Sequence, residues 1–143
     1  MRAALVLLSA LALSGCNDPL SDWSADGNSA VAEAELGELP SISARGETKR
    51  LLSSAPEVAN LTIRYFGTVE GDLGNEEPAL FFTASFDGKE VARTNFENLD
   101  MYEAADLAKA VTLEAGQGGV VLASDCPFTQ PVCDDALKQP ERP

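Results

Sequence analysis

The chain contains no histidine. Without an imidazole, Ser-His-Asp and Cys-His nucleophilic schemes are excluded, as are most zinc-hydrolase sites. No Ser-x-x-Lys pattern supplies a substitute base. Cations are scarce: 10 Lys and Arg stand against 23 Asp and Glu, a net charge of −13. That sign repels phosphate backbones, which argues against nucleic acid as a partner. It also gives no attraction to anionic lipid head groups. No apolar run approaches the ~20 residues a membrane span needs. The longest, from Ala3 to Leu13, has the length of a signal-peptide core.

That run follows Met1-Arg2 and closes on Leu13-Ser14-Gly15-Cys16. The four residues resemble the lipobox of bacterial lipoproteins, and the resemblance covers residues 1–16 only. It implies that Cys16 receives a thioether-linked diacylglycerol, that cleavage falls between Gly15 and Cys16, and that acylated Cys16 begins the mature chain. Two acyl chains hold a soluble domain on a bilayer, whereas one gives only marginal binding. The residue after Cys16 is Asn17, with Asp18 one further on. In enteric bacteria an Asp directly after the cysteine favours the inner membrane, so Asn17 points to the outer membrane.

Removing residues 1–15 takes away Arg2 and no acid, so the net charge moves from −13 to −14. The chain has three cysteines. With Cys16 lipidated, Cys126 and Cys133 remain as an even pair, expected as a disulfide in an exported protein. Their spacing is not that of a Cys-x-x-Cys redox site.

Residues 16–40 read as an acidic flexible tether, poor in apolar side chains and rich in turn formers. Trp23 is unexpected in such a stretch. Ala30 to Leu36 has helix formers, with Gly37 and Pro40 to stop them, and Glu47 to Ser54 suits a short helix. From Asn60 to Glu70, Leu61, Ile63 and Tyr65 alternate with Thr62 and Arg64, the pattern of a half-buried strand. Phe66 breaks the alternation, and Gly67 suggests a bulge. Residues 71–78 read as a loop. Residues 79–86 and 89–96 form an expected hairpin across Asp87-Gly88, a type I′ signal. Asp100-Met-Tyr-Glu103 resembles a capping box opening a helix to Lys109. Residues 111–114 and 120–123 suggest a second hairpin around Gly116-Gln117-Gly118-Gly119, which lacks the Gly-Lys-Ser/Thr ending of a phosphate loop. The rest reads as loop, with a frayed tail over 137–143.

The acidic side chains allow two chemistries. Glu76 with Glu77, Asp72, or Asp134 with Asp135 could form the carboxyl pair of a glycosidase. Asp72, Asn75, Glu76 and Glu77 could offer oxygens to calcium, as could Asp125, Asp134 and Asp135, but neither has the spacing of a calcium loop. Asn60-Leu61-Thr62 matches a glycosylation sequon and is more simply a strand start. Phe81, Phe82, Phe86 and Phe96 are expected in the core, and Phe128 is read as buried rather than displayed.

The expected fold is α+β: a small, mainly antiparallel sheet of about four to six strands with one short helix, with a β-sandwich as the alternative. The globular domain is expected over 41–136. The functional expectation is a membrane-anchored envelope lipoprotein facing the periplasm, a non-catalytic binding, structural or assembly module without cofactor or metal. Its expected partners are the bilayer, through Cys16, and an envelope protein. The alternative is a carboxylate-based hydrolase acting on envelope glycans.

Overall fold

A computed structural model describes residues 22–114, 116–140 and 142. Gly15, Cys16 and the first part of the expected tether, 16–21, lie outside the described residues. The elements run β1 (Trp23–Asp26), β2 (Ser29–Glu35), α1 (Pro40–Ser53), β3 (Asn60–Glu70), β4 (Glu76–Asp87), α2 (Gly88–Ala92), a 3₁₀ turn (Phe96–Asn98), α3 (Met101–Ala105), β5 (Ala108–Leu113), α4 (Gly118–Ser124) and α5 (Gln130–Leu137). The five strands form one sheet in the order β1-β2-β3-β4-β5. Among the described residues only β2 and β3 pair in parallel. A parallel pair needs a crossover, which α1 supplies.

Side-chain alternation divides this sheet into a buried and an open face. Ala30, Ala32, Ala34, Leu61, Ile63, Tyr65, Phe82, Ala84, Phe86, Val111 and Leu113 are buried. They share one core with Ala44, Leu51 and Leu52 of α1, Val121 and Leu122 of α4, and Cys133 and Ala136 of α5. On the alternate positions Val31, Glu33, Glu35, Ser85 and Ala110 are exposed, while Thr62, Arg64, Phe66 and Thr83 are half-buried. Among the described residues the architecture is therefore two layers with one sheet face uncovered, as expected for a small α+β fold. Among the described residues the sheet is single, not a sandwich, and the helices outnumber the one expected.

The centre of the core is aromatic. Tyr65 stacks on Phe82 with ring centroids 4.9 Å apart. Phe128 meets both edge-on, at 5.8 and 5.9 Å. Each such pair contributes about 0.5–1.5 kcal/mol beyond its buried area. The fully buried Tyr65 hydroxyl lies 2.5 Å from Thr48 Oγ1. Thr48 donates its own proton to the Ala44 carbonyl at 2.6 Å. Thr48 therefore accepts, and Tyr65 donates.

Several local expectations are corrected. The tether ends earlier than residue 40. Trp23 is buried and donates its indole N–H to the Leu51 carbonyl at 2.9 Å, and 30–35 form a strand, not a helix. Alanines at alternate positions of β2 fill the buried face of the sheet, so pairing overrides their helix propensity. Pro40 opens α1 rather than ending a helix, because the first helical position needs no N–H. Asp87-Gly88 is not a hairpin turn: Asp87 caps α2 by accepting from the Lys89 amide at 2.9 Å. The hairpin turn lies instead at Gly27-Asn28, between the paired residues Asp26 and Ser29, where Gly27 has φ +64°. The capping box is present, with Glu103 N–H to Asp100 at 2.8 Å and Asp100 N–H to Glu103 at 3.1 Å. Its helix stops at Ala105, and β5 begins at Ala108. Residues 118–124 and 130–137 are helices, not a second hairpin and a loop.

The polarity of the Tyr65–Thr48 bond makes two substitutions unequal. Thr48→Val strands a buried phenol donor and is expected to cost about 1–3 kcal/mol, whereas Tyr65→Phe removes the donor with its need and costs about 0.5–1.5 kcal/mol. Urea midpoints of the two variants check the order. Burial also pushes the Tyr65 hydroxyl well above the ordinary phenol range. A group whose folded pKa is raised contributes stability fully present below its unfolded value, ~10, and lost as pH rises beyond it. Between roughly pH 10 and 12 the wild type is therefore expected to lose more stability than Tyr65→Phe, as read by circular dichroism in urea.

Candidate functional site

The concave feature of the open face arises where β2 ends before its neighbours. The β2–β3 ladder stops at Glu35 and Phe66. The Leu36 amide makes one further bond to the Phe66 carbonyl at 2.7 Å, and the chain then turns into α1. β3 continues beside β4 as far as Glu70 and Glu76. The step leaves a groove of about 690 Å³ lined by Glu33, Glu35, Leu36, Phe66, Gly67, Thr68, Glu76, Glu77 and Pro78. A second void of about 410 Å³ shares Leu36, Gly67, Thr68 and Glu76 with it and reaches Glu38, Pro40 and Phe81.

Strand geometry explains the lining. Glu33 and Glu35 are two apart on β2, so they share the open face with Phe66 and Thr68 of β3. Glu76 arrives opposite Glu70, and Glu77 opposite Val69. Like charges directly opposite are destabilising in a sheet. Among the described residues, one rim carboxylate has a cation, Glu33 with Arg64 at 3.1 Å. The Arg64 guanidinium also lies over the Phe66 ring, 5.3 Å from its centroid. The groove thus combines an apolar floor of Phe66, Leu36 and Pro78 with a carboxylate rim. That combination suits an amphipathic cation.

The sequence-derived candidates are dispersed otherwise. Glu76 and Glu77 reach the groove, where Glu33 and Glu35 join them, while Asp72 sits on the β3–β4 turn. Asp134 and Asp135 are exposed on α5, and Asp134 accepts from the Gln130 side chain at 2.7 Å. Among the described residues, no three acidic, cysteine or histidine side chains gather as metal ligands. The pairing of Glu33 and Glu35 with Glu76 and Glu77 was not foreseen. Its signal was the Glu-x-Glu alternation in Ser29–Glu35, hidden once that stretch was read as helix and tether.

The cysteine region is a brace. Cys126 and Cys133 lie at disulfide distance with Cα atoms 6.2 Å apart. Between them Phe128 reaches the aromatic core. Arg45 of α1 donates to the Cys126 carbonyl at 2.7 Å and lies 3.6 Å from Asp125. Its guanidinium covers the Tyr102 ring at 4.5 Å, and the Ser41 hydroxyl donates to the Asp125 carbonyl. Burial pushes the nearby Asp106 carboxyl above its ordinary range, against the pull of Arg45. Asp125 therefore ties the loop to α1. No helix among the described residues is long and apolar enough to cross a membrane.

The paired Cys126→Ser and Cys133→Ser substitutions are expected to destabilise the fold by about 2–3 kcal/mol, the loop-closure value for so short a ring. Guanidinium unfolding with and without reductant checks this: reductant should shift the wild type toward the double variant and leave that variant unmoved.

No family model matches the chain, and neither does any curated protein or any solved structure.

Proposed function

We propose that this chain is a bacterial envelope lipoprotein whose domain binds a protein partner and catalyses no reaction of its own. The observation that carries the reading is the groove on the open sheet face, apolar at its floor and carboxylate at its rim. Ordinary solubility calls for dispersed charge of both signs. Here like charges converge on one concavity at the expense of local stability, which is a pattern of functional surfaces. Leu13-Ser14-Gly15-Cys16 supplies the address: acylated Cys16 holds the domain on the bilayer, facing the periplasm, with the outer membrane favoured over the inner by Asn17. A cysteine pair at disulfide distance suits that oxidising compartment.

A second reading draws on the same concavity. Glu33 and Glu35 face a space also lined by Glu76 and Glu77, as a glycan hydrolase using two carboxyls requires. Release of soluble fragments from labelled cell-wall glycan by the wild type, lost in Glu76→Gln or Glu77→Gln, would replace the binding reading with this one.

The anchor is tested in cells fed an alkyne-bearing fatty acid. The wild type is expected to take the label and sediment with membranes. Cys16→Ala is expected to take none and to retain its leader. An unlabelled wild type in the soluble fraction would overturn the lipoprotein assignment.

A further inference from the structure

We infer that the groove is a strand-addition site: an extended, lysine- or arginine-bearing segment of a partner protein docks as an extra strand beside Gly67–Glu70 of β3. The inference deepens the binding reading above and rests on it.

The backbone comes first. The Phe66 carbonyl accepts from Leu36, on the side of β3 that faces β2. Gly67 and Val69 are register partners of Ala79 and Glu77 on β4, and the Gly71 amide continues that side by donating to Asn75 at 2.7 Å. Hydrogen-bonding direction alternates along a strand. Thr68 and Glu70 therefore direct their amides and carbonyls away from β4, toward the side β2 has left. Among the described residues, no strand covers that edge. Free sheet edges are the template for peptide capture by strand addition.

The room comes second. An added strand lies about 4.8 Å from its neighbour. The two contiguous voids, of about 690 and 410 Å³, meet along Gly67 and Thr68. One opens on the carboxylates of the open face, and the other reaches Leu36, Pro40 and Phe81. A docked strand would alternate accordingly, with cationic side chains toward Glu33, Glu35 and Glu76 on the open face and apolar ones toward the second void, while Glu77, paired with Val69, stands on the other face.

Charge selects the occupant. Glu35, Glu76 and Glu77 have no cation of their own among the described residues. A second copy of this chain would bring carboxylate against carboxylate, so a self-paired edge is disfavoured. A basic segment relieves the repulsion within the rim.

The test uses the full mature chain in detergent and a capped peptide alternating lysine and valine, with binding measured by calorimetry. The peptide is expected to bind and to slow amide exchange at Thr68 and Glu70. Affinity should fall about tenfold or more for an alternating glutamate–valine peptide, and equally for a lysine–valine peptide whose alternate backbone amides are N-methylated. The Glu35→Gln, Glu76→Gln, Glu77→Gln variant should lose a similar factor, with an unfolding midpoint at or above that of the wild type. Should that variant fail to fold, the N-methylated peptide on the wild type decides. Equal affinity for the N-methylated peptide or for spermine would reduce the effect to charge adsorption and overturn strand addition. Absence of binding by the lysine–valine peptide would overturn it too, as would dimerisation of the chain that the peptide dissolves. None of these outcomes touches the fatty-acid label on Cys16, so the anchor and the groove fail separately.

Discussion

One extra residue in β4 governs how the sheet meets the helical layer. Tyr65 pairs with Phe82 and Phe66 with Leu80, which leaves Phe81 without a β3 partner. The bulge puts two consecutive aromatics, Phe81 and Phe82, into the buried set, an arrangement that regular alternation forbids. Space for them is made by glycine. A Cβ at Gly67 would overlap the Phe81 ring, and a Cβ at Gly118 would overlap the Phe81 carbonyl oxygen. That carbonyl accepts from the Glu114 amide at 2.9 Å just after β5 ends. The bulge therefore fixes where β5 stops, where α4 starts, and how far β4 runs on alone with β3. The groove exists because β3 and β4 outrun both neighbours.

Parts of this were legible in the sequence where one physical signal dominated. Leu61, Ile63 and Tyr65 alternate with polar residues, and no other local preference competes. Asp100 and Glu103 satisfy two amides reciprocally, so the capping box holds whatever the tertiary context. The failures share a cause. Two Asp-Gly pairs occur, and neither supplies both residues of a hairpin turn, since Asp26 pairs with Ser29 and the turn is Gly27-Asn28. Gly27 is free to adopt φ +64°, whereas Gly88 packs against the Val58 carbonyl and Asp87 finds a helix amide to cap. Similarly, Ser29–Glu35 alternates with period two, but its buried residues are alanines. Alanine carries little hydrophobic signal and favours helices. Its small size becomes useful only once α1 is packed over it, and that information lies outside the segment.

The candidate site was half legible for the same reason. Glu76 and Glu77 stand out as an adjacent pair, and pairs are expected by chance in so acidic a chain. Their meaning changes when Glu33 and Glu35 arrive from a strand more than one element away. Only the parallel β2–β3 pairing, with α1 as its crossover, brings Glu33, Glu35 and Glu76 onto one face. Strand register is a non-local quantity, and no window of sequence contains it.

The acidity of the groove bears on solubility as well as on recognition. A free edge beside Gly67–Glu70 is a standing invitation to pair with any extended chain. Proteins commonly protect such edges with charge, which excludes like-charged copies of themselves. Here the protecting charge is of one sign and converges on an apolar floor. A neutral β-prone segment meets carboxylates it cannot satisfy, and an acidic one meets repulsion. A basic segment gains hydrogen bonds from the backbone and ion pairs from the rim together. Under strand addition, the charges that repel a second copy of the chain are also the ones that select which strand is admitted, and specificity follows from that repulsion.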